Sequence, residues 1–119
     1  MKKTILVVDD DVAILDIVTQ MLQDAGYNTL NALDGDSAIA MINKKPDLVL
    51  LDMWMSGTDG RDVCLYIKKN PKTKHIPVII SSANNDTKNI SEEIGADDYL
   101  AKPFEMEELL NKIKKTVSS

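Results

Sequence analysis

Short apolar runs alternate with longer amphipathic stretches along this chain, and that alternation does most to restrict its fold. Residues 4–8 (TILVV) read as a buried strand. Val12, Leu15, Val18, Met21 and Leu22 then recur with helical spacing until Gly26 offers a stop. A second strand over 27–32 is more polar (Asn28, Thr29, Asn31), as an edge strand can be. A short helix follows over about 36–43, with Asp36 or Ser37 near its start, before Lys44-Lys45-Pro46-Asp47 makes a turn. Residues 48–51 form a third strand, apolar on both faces, that runs into Asp52.

The stretch 53–60 carries Gly57 and Gly60 and reads as a loop. A helix over 61–69 follows, stopped by Asn70-Pro71. Residues 78–82 make a fourth strand. A helix over 86–94 has Ile90 and Ile94 as almost its only anchors, so its packing is expected to be thin and the element mobile. Gly95 ends it, 98–101 is a brief fifth strand, and Met106, Leu109, Leu110, Ile113 and Val117 give the last helix an apolar stripe.

Strands that alternate with helices in this way build a parallel sheet covered on both faces. Each interval between strands is long enough for a right-handed crossover, which needs roughly a dozen residues. The expected fold is therefore α/β, a doubly wound five-stranded parallel sheet flanked by five helices. At 119 residues there is room for one domain, 1–119. Its 44% apolar and 28% charged residues are ordinary for a globular chain. No run approaches the roughly 18 apolar residues of a membrane span, and Met1-Lys2-Lys3 leads straight into a strand rather than a signal peptide. With one cysteine, Cys64, and no internal disulfide, the expected setting is cytoplasmic. A formal charge of −5 disfavours direct nucleic-acid binding, which is dominated by neutralising phosphates.

Parallel strands end on one side, so residues just past each strand become neighbours. Here they are Asp9 and Asp10 after the first strand, Asp52 after the third, Ser82 at the end of the fourth and Lys102 after the fifth. Ligands of open α/β sheets bind at that edge, where the strand order reverses. Three carboxylates there repel one another unless a cation lies between them, and oxygen-only ligation points to Mg²⁺ or Mn²⁺. A lysine and a serine suit the remaining oxygens of a phosphoryl group, which a carboxylate can carry covalently. Asp11 is expected to cap the first helix, Cys64 to pack without reactivity, and His75 to be structural. Lys68, Lys69, Lys112, Lys114 and Lys115 are expected to form solvated faces.

In order and spacing, VVDD at 7–10, LLD at 50–52, TDG at 58–60, IPVIISSA at 76–83 and GADDYLAKPF at 95–104 resemble the receiver domain of bacterial two-component response regulators, over essentially the whole chain. The resemblance implies a flavodoxin-like three-layer sandwich with strand order 2-1-3-4-5. It implies that Asp52 is the phosphoacceptor, charged by a histidine kinase or phosphotransfer protein. Asp10 and Asp52 would hold the metal directly, Asp9 through water, and the Trp54 backbone carbonyl would complete the protein ligands. Ser82 would be the switch hydroxyl, with small Ala83 beside it; Lys102 would contact the phosphoryl oxygens, and Tyr99 would be the aromatic switch. The Lys102-Pro103 bond would be cis. Such a domain is not an enzyme in the usual sense. Its output, through the fourth helix, fifth strand and last helix, goes to a downstream protein target, with a homodimer on phosphorylation as another outcome.

Ser56, where the family usually has proline, departs from the pattern, and bulky Trp54 and Asn84 lie beside the site's mouth, where they are expected to govern access of a hydrolytic water. Rival readings are a haloacid-dehalogenase-like phosphatase using Asp9 and Asp11, a flavodoxin-like FMN carrier, and a receiver-like binding module that works without phosphate. Whether these residues form a stand-alone receiver or a piece of a longer regulator is left open by the sequence.

Overall fold

The computed structural model describes residues 2–55, 58–83 and 86–117, with the backbone alone described at 54, 55, 58 and 59. Its elements run β1 (Thr4–Val8), α1 (Val12–Asp24), β2 (Asn28–Ala32), α2 (Gly35–Ile42), β3 (Leu48–Asp52), α3 (Gly60–Lys69), β4 (Val78–Ser82), α4 (Thr87–Glu93), β5 (Asp98–Ala101) and α5 (Met106–Val117). The five strands form one parallel sheet in the order β2-β1-β3-β4-β5. No helix among the described residues is long and apolar enough to cross a membrane.

The side-chain period of a strand splits the core in two. Leu6, Val8, Val49, Leu51, Val78 and Ile80 face α2 and α3, where Ile42, Val63 and Ile67 meet them. Ile5, Val7, Leu48, Leu50 and Ile79 face α1 and α5 and meet Leu15, Val18, Leu22, Leu109 and Ile113. β3 and β4 are buried at every residue, whereas β2, at the margin, is exposed at Asn28 and Asn31. Each fully buried aliphatic side chain stabilises such a core by about 1.5–3 kcal/mol relative to exposure.

Helix ends follow local chemistry. Asp11 caps α1, its Oδ1 accepting the N–H groups of Ala13 (3.0 Å) and Ile14 (3.3 Å). At the other end Gly26, at φ +97°, takes the left-handed conformation that stops the helix. α2 is capped two to three residues earlier than the sequence suggested: Asp34, not Asp36 or Ser37, accepts the Ser37 N–H at 2.7 Å. The Ser37 backbone and side chain hold the Asp34 carboxyl below its ordinary range.

Three further expectations need correction. The stretch after β3 is not simply a loop, since Trp54–Met55 pairs antiparallel with Thr58–Asp59. Val12 and Met106, assigned to apolar stripes, are exposed at the first residues of their helices. α4 is as thin as expected, since its buried residues are polar, Thr87 and Ser91, with Ile90 half-buried. At the end of the sheet away from the strand-end acids, Lys68 ties three segments together: its ammonium donates to the carbonyls of Lys74 (3.3 Å) and Ile76 (2.8 Å) and pairs with Asp97 (2.8 Å). Lys68 is therefore a fastening rather than part of a solvated face. Asp97 in turn accepts the Val78 N–H at the start of β4.

Candidate functional site

The register brings the strand-end residues together. Val8 pairs with Leu51, so Asp9 follows beside Asp52; Asp52 pairs with Ser81, and Ser82 with Ala101, which precedes Lys102. Main-chain bonds extend the sheet past its ends: Asp9 N–H donates to Ala32 O (3.1 Å), Met53 N–H to Ser81 O (3.0 Å) and Lys102 N–H to Ser82 O (2.9 Å). The side chains therefore stand on rigid supports at the point where strand order reverses, between β1 and β3.

Asp9, Asp10 and Asp52 offer carboxylate oxygens that all lie within 4.8 Å of one another. Asp9 and Asp52 are only 5% and 7% exposed, which makes their mutual repulsion poorly screened by water. Lys102 answers part of it, with its Nζ 3.0 Å from Asp9 Oδ2 and 3.4 Å from Asp52 Oδ1. Burial works to lower the pKa of this ammonium. The Asp9 hydrogen bond and the charges of Asp52 and Asp9 outweigh that, so the net shift is upward. Asp9 Oδ1 also accepts the Asp11 N–H at 2.9 Å, which fixes the carboxylate's orientation.

The clustered carboxylates supply only oxygen donors. A hard divalent cation with oxygen ligands fits that donor set, and neither sulfur nor imidazole is among the clustered groups. Ser82 is buried at the end of β4, with Ala83 exposed after it. Tyr99 is half-buried on the marginal strand β5, and the Lys102-Pro103 bond is cis. Trp54 lies in the ribbon just past Asp52. Ser56 and Asn84 fall outside the described residues.

One contributor was legible only as part of a motif. Gly60, the last residue of TDG, donates its N–H to Met53 O at 2.7 Å and packs so closely on the main chain of Asp52 and Met53 that a Cβ would lie 2.8 Å from Met53 Cα. Only glycine fits against the peptide that carries Asp52. The pairing of Lys102 with Asp9 also went unread, because nothing local links residues 93 positions apart. Cys64 packs into the core as expected, with burial pushing its thiol up to about 11.

A parallel sheet in this order thus carries acids, a serine and a lysine at its carboxyl edge. Residues 5–114 match the family model of the response regulator receiver domain, and the chain belongs to that family. It is 40% identical to the phosphate regulon transcriptional regulatory protein PhoB of Pseudomonas aeruginosa, in an alignment covering 94% of this chain and 50% of that protein. The chain spans about half the length of the curated relatives it matches. A putative response regulator from Chloroflexus aurantiacus superposes with a TM-score of 0.93 at 34% identity, covering 100% of both chains. The receiver domain of the sensor histidine kinase PA1611 from Pseudomonas aeruginosa, which has a magnesium ion coordinated in its active-site cleft, superposes at 0.90 with 28% identity, again over 100% of both.

Proposed function

We propose that residues 1–119 form one receiver domain in which Asp52 accepts a phosphoryl group from the phosphohistidine of a histidine kinase or phosphotransfer protein. The observation that carries this reading is the nearly buried Asp52 carboxylate, clustered with Asp9 and Asp10 and 3.4 Å from the Lys102 ammonium. An Asp52 oxygen attacks phosphorus, the N–P bond breaks, and the donor imidazole keeps the electron pair. Asp10, Asp52 and the Trp54 carbonyl would hold Mg²⁺ (Mn²⁺ has the same preference for oxygen), with Asp9 acting through water. When bound, the cation neutralises charge on the transferred group and aligns it.

Lys102 changes partners in this reading, leaving its acids to meet the new phosphoryl oxygens. Ser82 donates its hydroxyl to another of those oxygens, and Tyr99 turns toward the space that Ser82 vacates. The face of α4, β5 and α5 then presents the altered surface to a downstream protein or to a second copy of the chain. A net charge of −5 argues against direct contact of these residues with nucleic acid. Asp11 argues against the phosphatase reading, because its carboxylate is engaged in capping α1. Three acids at the switch point would likewise repel a flavin phosphate.

Incubation with acetyl phosphate and Mg²⁺ tests the proposal directly. One phosphoryl group should appear by mass, and it should be lost with a chelator or in Asp52→Asn. Undiminished labelling of Asp52→Asn would overturn the assignment, and absence of labelling in the wild type would favour a phosphate-independent module.

A further inference from the structure

Tyr99 is held more firmly than a half-exposed aromatic on a marginal strand requires. The Lys112 ammonium lies 5.2 Å from the centre of its ring, within cation–π range. That ammonium is itself fixed 3.1 Å from Asp98 Oδ1, and the same oxygen accepts the Tyr99 main-chain N–H at 2.8 Å. Lys112 and Asp98 are each only 26% exposed, so water screens the pair less than it would a free surface ion pair. One carboxylate oxygen thus secures both the strand residue and the cation over its ring.

Side chains alternate along β5, and Leu100 packs into the cluster with α1 and α5, so Tyr99 leaves from the opposite face. Because β5 is the last strand, Lys112 of α5 can meet that ring only past the sheet's free edge. Ser82 is on the inner side. It belongs to β4, two residues beyond the Ile80 that pairs with Tyr99, and alternation puts it on the same face as Ile80. A ring drawn toward Ser82 must leave Lys112.

We infer that Lys112 is a positioning residue for the switch: with Asp98 it retains Tyr99 at the outer edge and sets how readily the ring turns inward. The inference rests on the reading of Tyr99 given above. It makes α5 a participant in the equilibrium, since withdrawing or neutralising the Lys112 charge releases the ring.

Fluorine NMR on the full chain labelled with fluorotyrosine tests it, the Tyr99 signal being identified by its loss in Tyr99→Phe. In the wild type this signal should move when acetyl phosphate and Mg²⁺ modify Asp52, with modification verified by mass. In unmodified Lys112→Met it should already lie part-way to that position, the inward population rising about two- to fivefold for loss of a part-exposed cation–π contact. Lys112→Arg, which keeps a cation over the ring, should restore the wild-type signal. If Lys112→Met leaves the unmodified signal in place or moves it the other way, while the wild type still responds to phosphate, the positioning role is refuted and the switch stands. If the wild-type signal does not move on verified modification, the switch reading fails and the positioning role fails with it.

Discussion

Lys102 reaches across 93 positions of chain to set its ammonium 3.0 Å from Asp9 Oδ2. The contact joins the end of the first strand to the end of the fifth, and it offsets part of the repulsion among carboxylates that burial has removed from water. Lys102→Met should therefore destabilise the metal-free protein by about 1–3 kcal/mol, the penalty for leaving a buried charged group without its partner. Mg²⁺ should recover more stability in this variant than in the wild type, because the cation replaces the missing charge. Thermal melts with and without Mg²⁺ measure both effects.

The same residue gives the protein an alkaline limit. Its native pKa is raised above the ordinary value of 10.5, so its stabilisation is complete below that value and is lost as pH rises through the higher native pKa. Denaturant titrations above pH 10.5 should show a loss in the wild type that Lys102→Met lacks.

Gly60 makes a sharper test of how the site is supported. Gly60→Ala places a methyl group against the main chain of Asp52 and Met53 at the end of β3. Overpacking of this kind costs about 1–3 kcal/mol. The variant should melt earlier, and its phosphorylation by acetyl phosphate should slow although no reacting group has been changed. A wild-type rate would show that the close approach is not needed to place Asp52.

The two caps separate by pH. Asp11→Ala should cost about 1 kcal/mol through the lost cap of α1 while leaving phosphorylation unchanged. At Asp34 the carboxyl is held below its ordinary 3.8, so its contribution is present above that value and drains away as pH falls through the lower native pKa. Asp34→Asn keeps a capping oxygen but should remove that acid-dependent component, which acid titration of stability will reveal.

Cys64 provides an internal monitor of integrity. With its thiol pushed up to about 11 and its sulfur 3.8 Å from Ile94 O, it should resist a thiol reagent at pH 8 and react only when the α3–α4 side of the core opens. Labelling rates across a denaturant series should track unfolding. Rapid labelling of the native protein would contradict this burial.

Three of the five strands were legible to the residue because their signals are local: TILVV and VIISS are runs that water disfavours, and DYLA sits between a helix stop and Lys102. β2 begins one residue later than its apolar content suggested, since Tyr27 instead closes the end of α1 by donating its N–H to Leu22 O. Asp34 was missed as a cap because Asp36 and Ser37 are equally good capping types nearby, and only the backbone path chooses among them. The two-residue ribbon after Asp52 is too short to leave a periodic trace. Of the site, the acids, serine and lysine could be placed together because parallel strands share an end. The choice of Lys102's partners could not, because it depends on reach and burial rather than on order in the chain.

Lys68 fastens the other end of the sheet. Gripping two carbonyls ahead of β4 and the carboxylate ahead of β5, it makes that end a fulcrum. Strands pinned there in fixed register keep Ser82 and Lys102 at a set spacing from Asp52 at the opposite end. Cutting the fastening would free the two strands to slide against each other and carry that spacing with them.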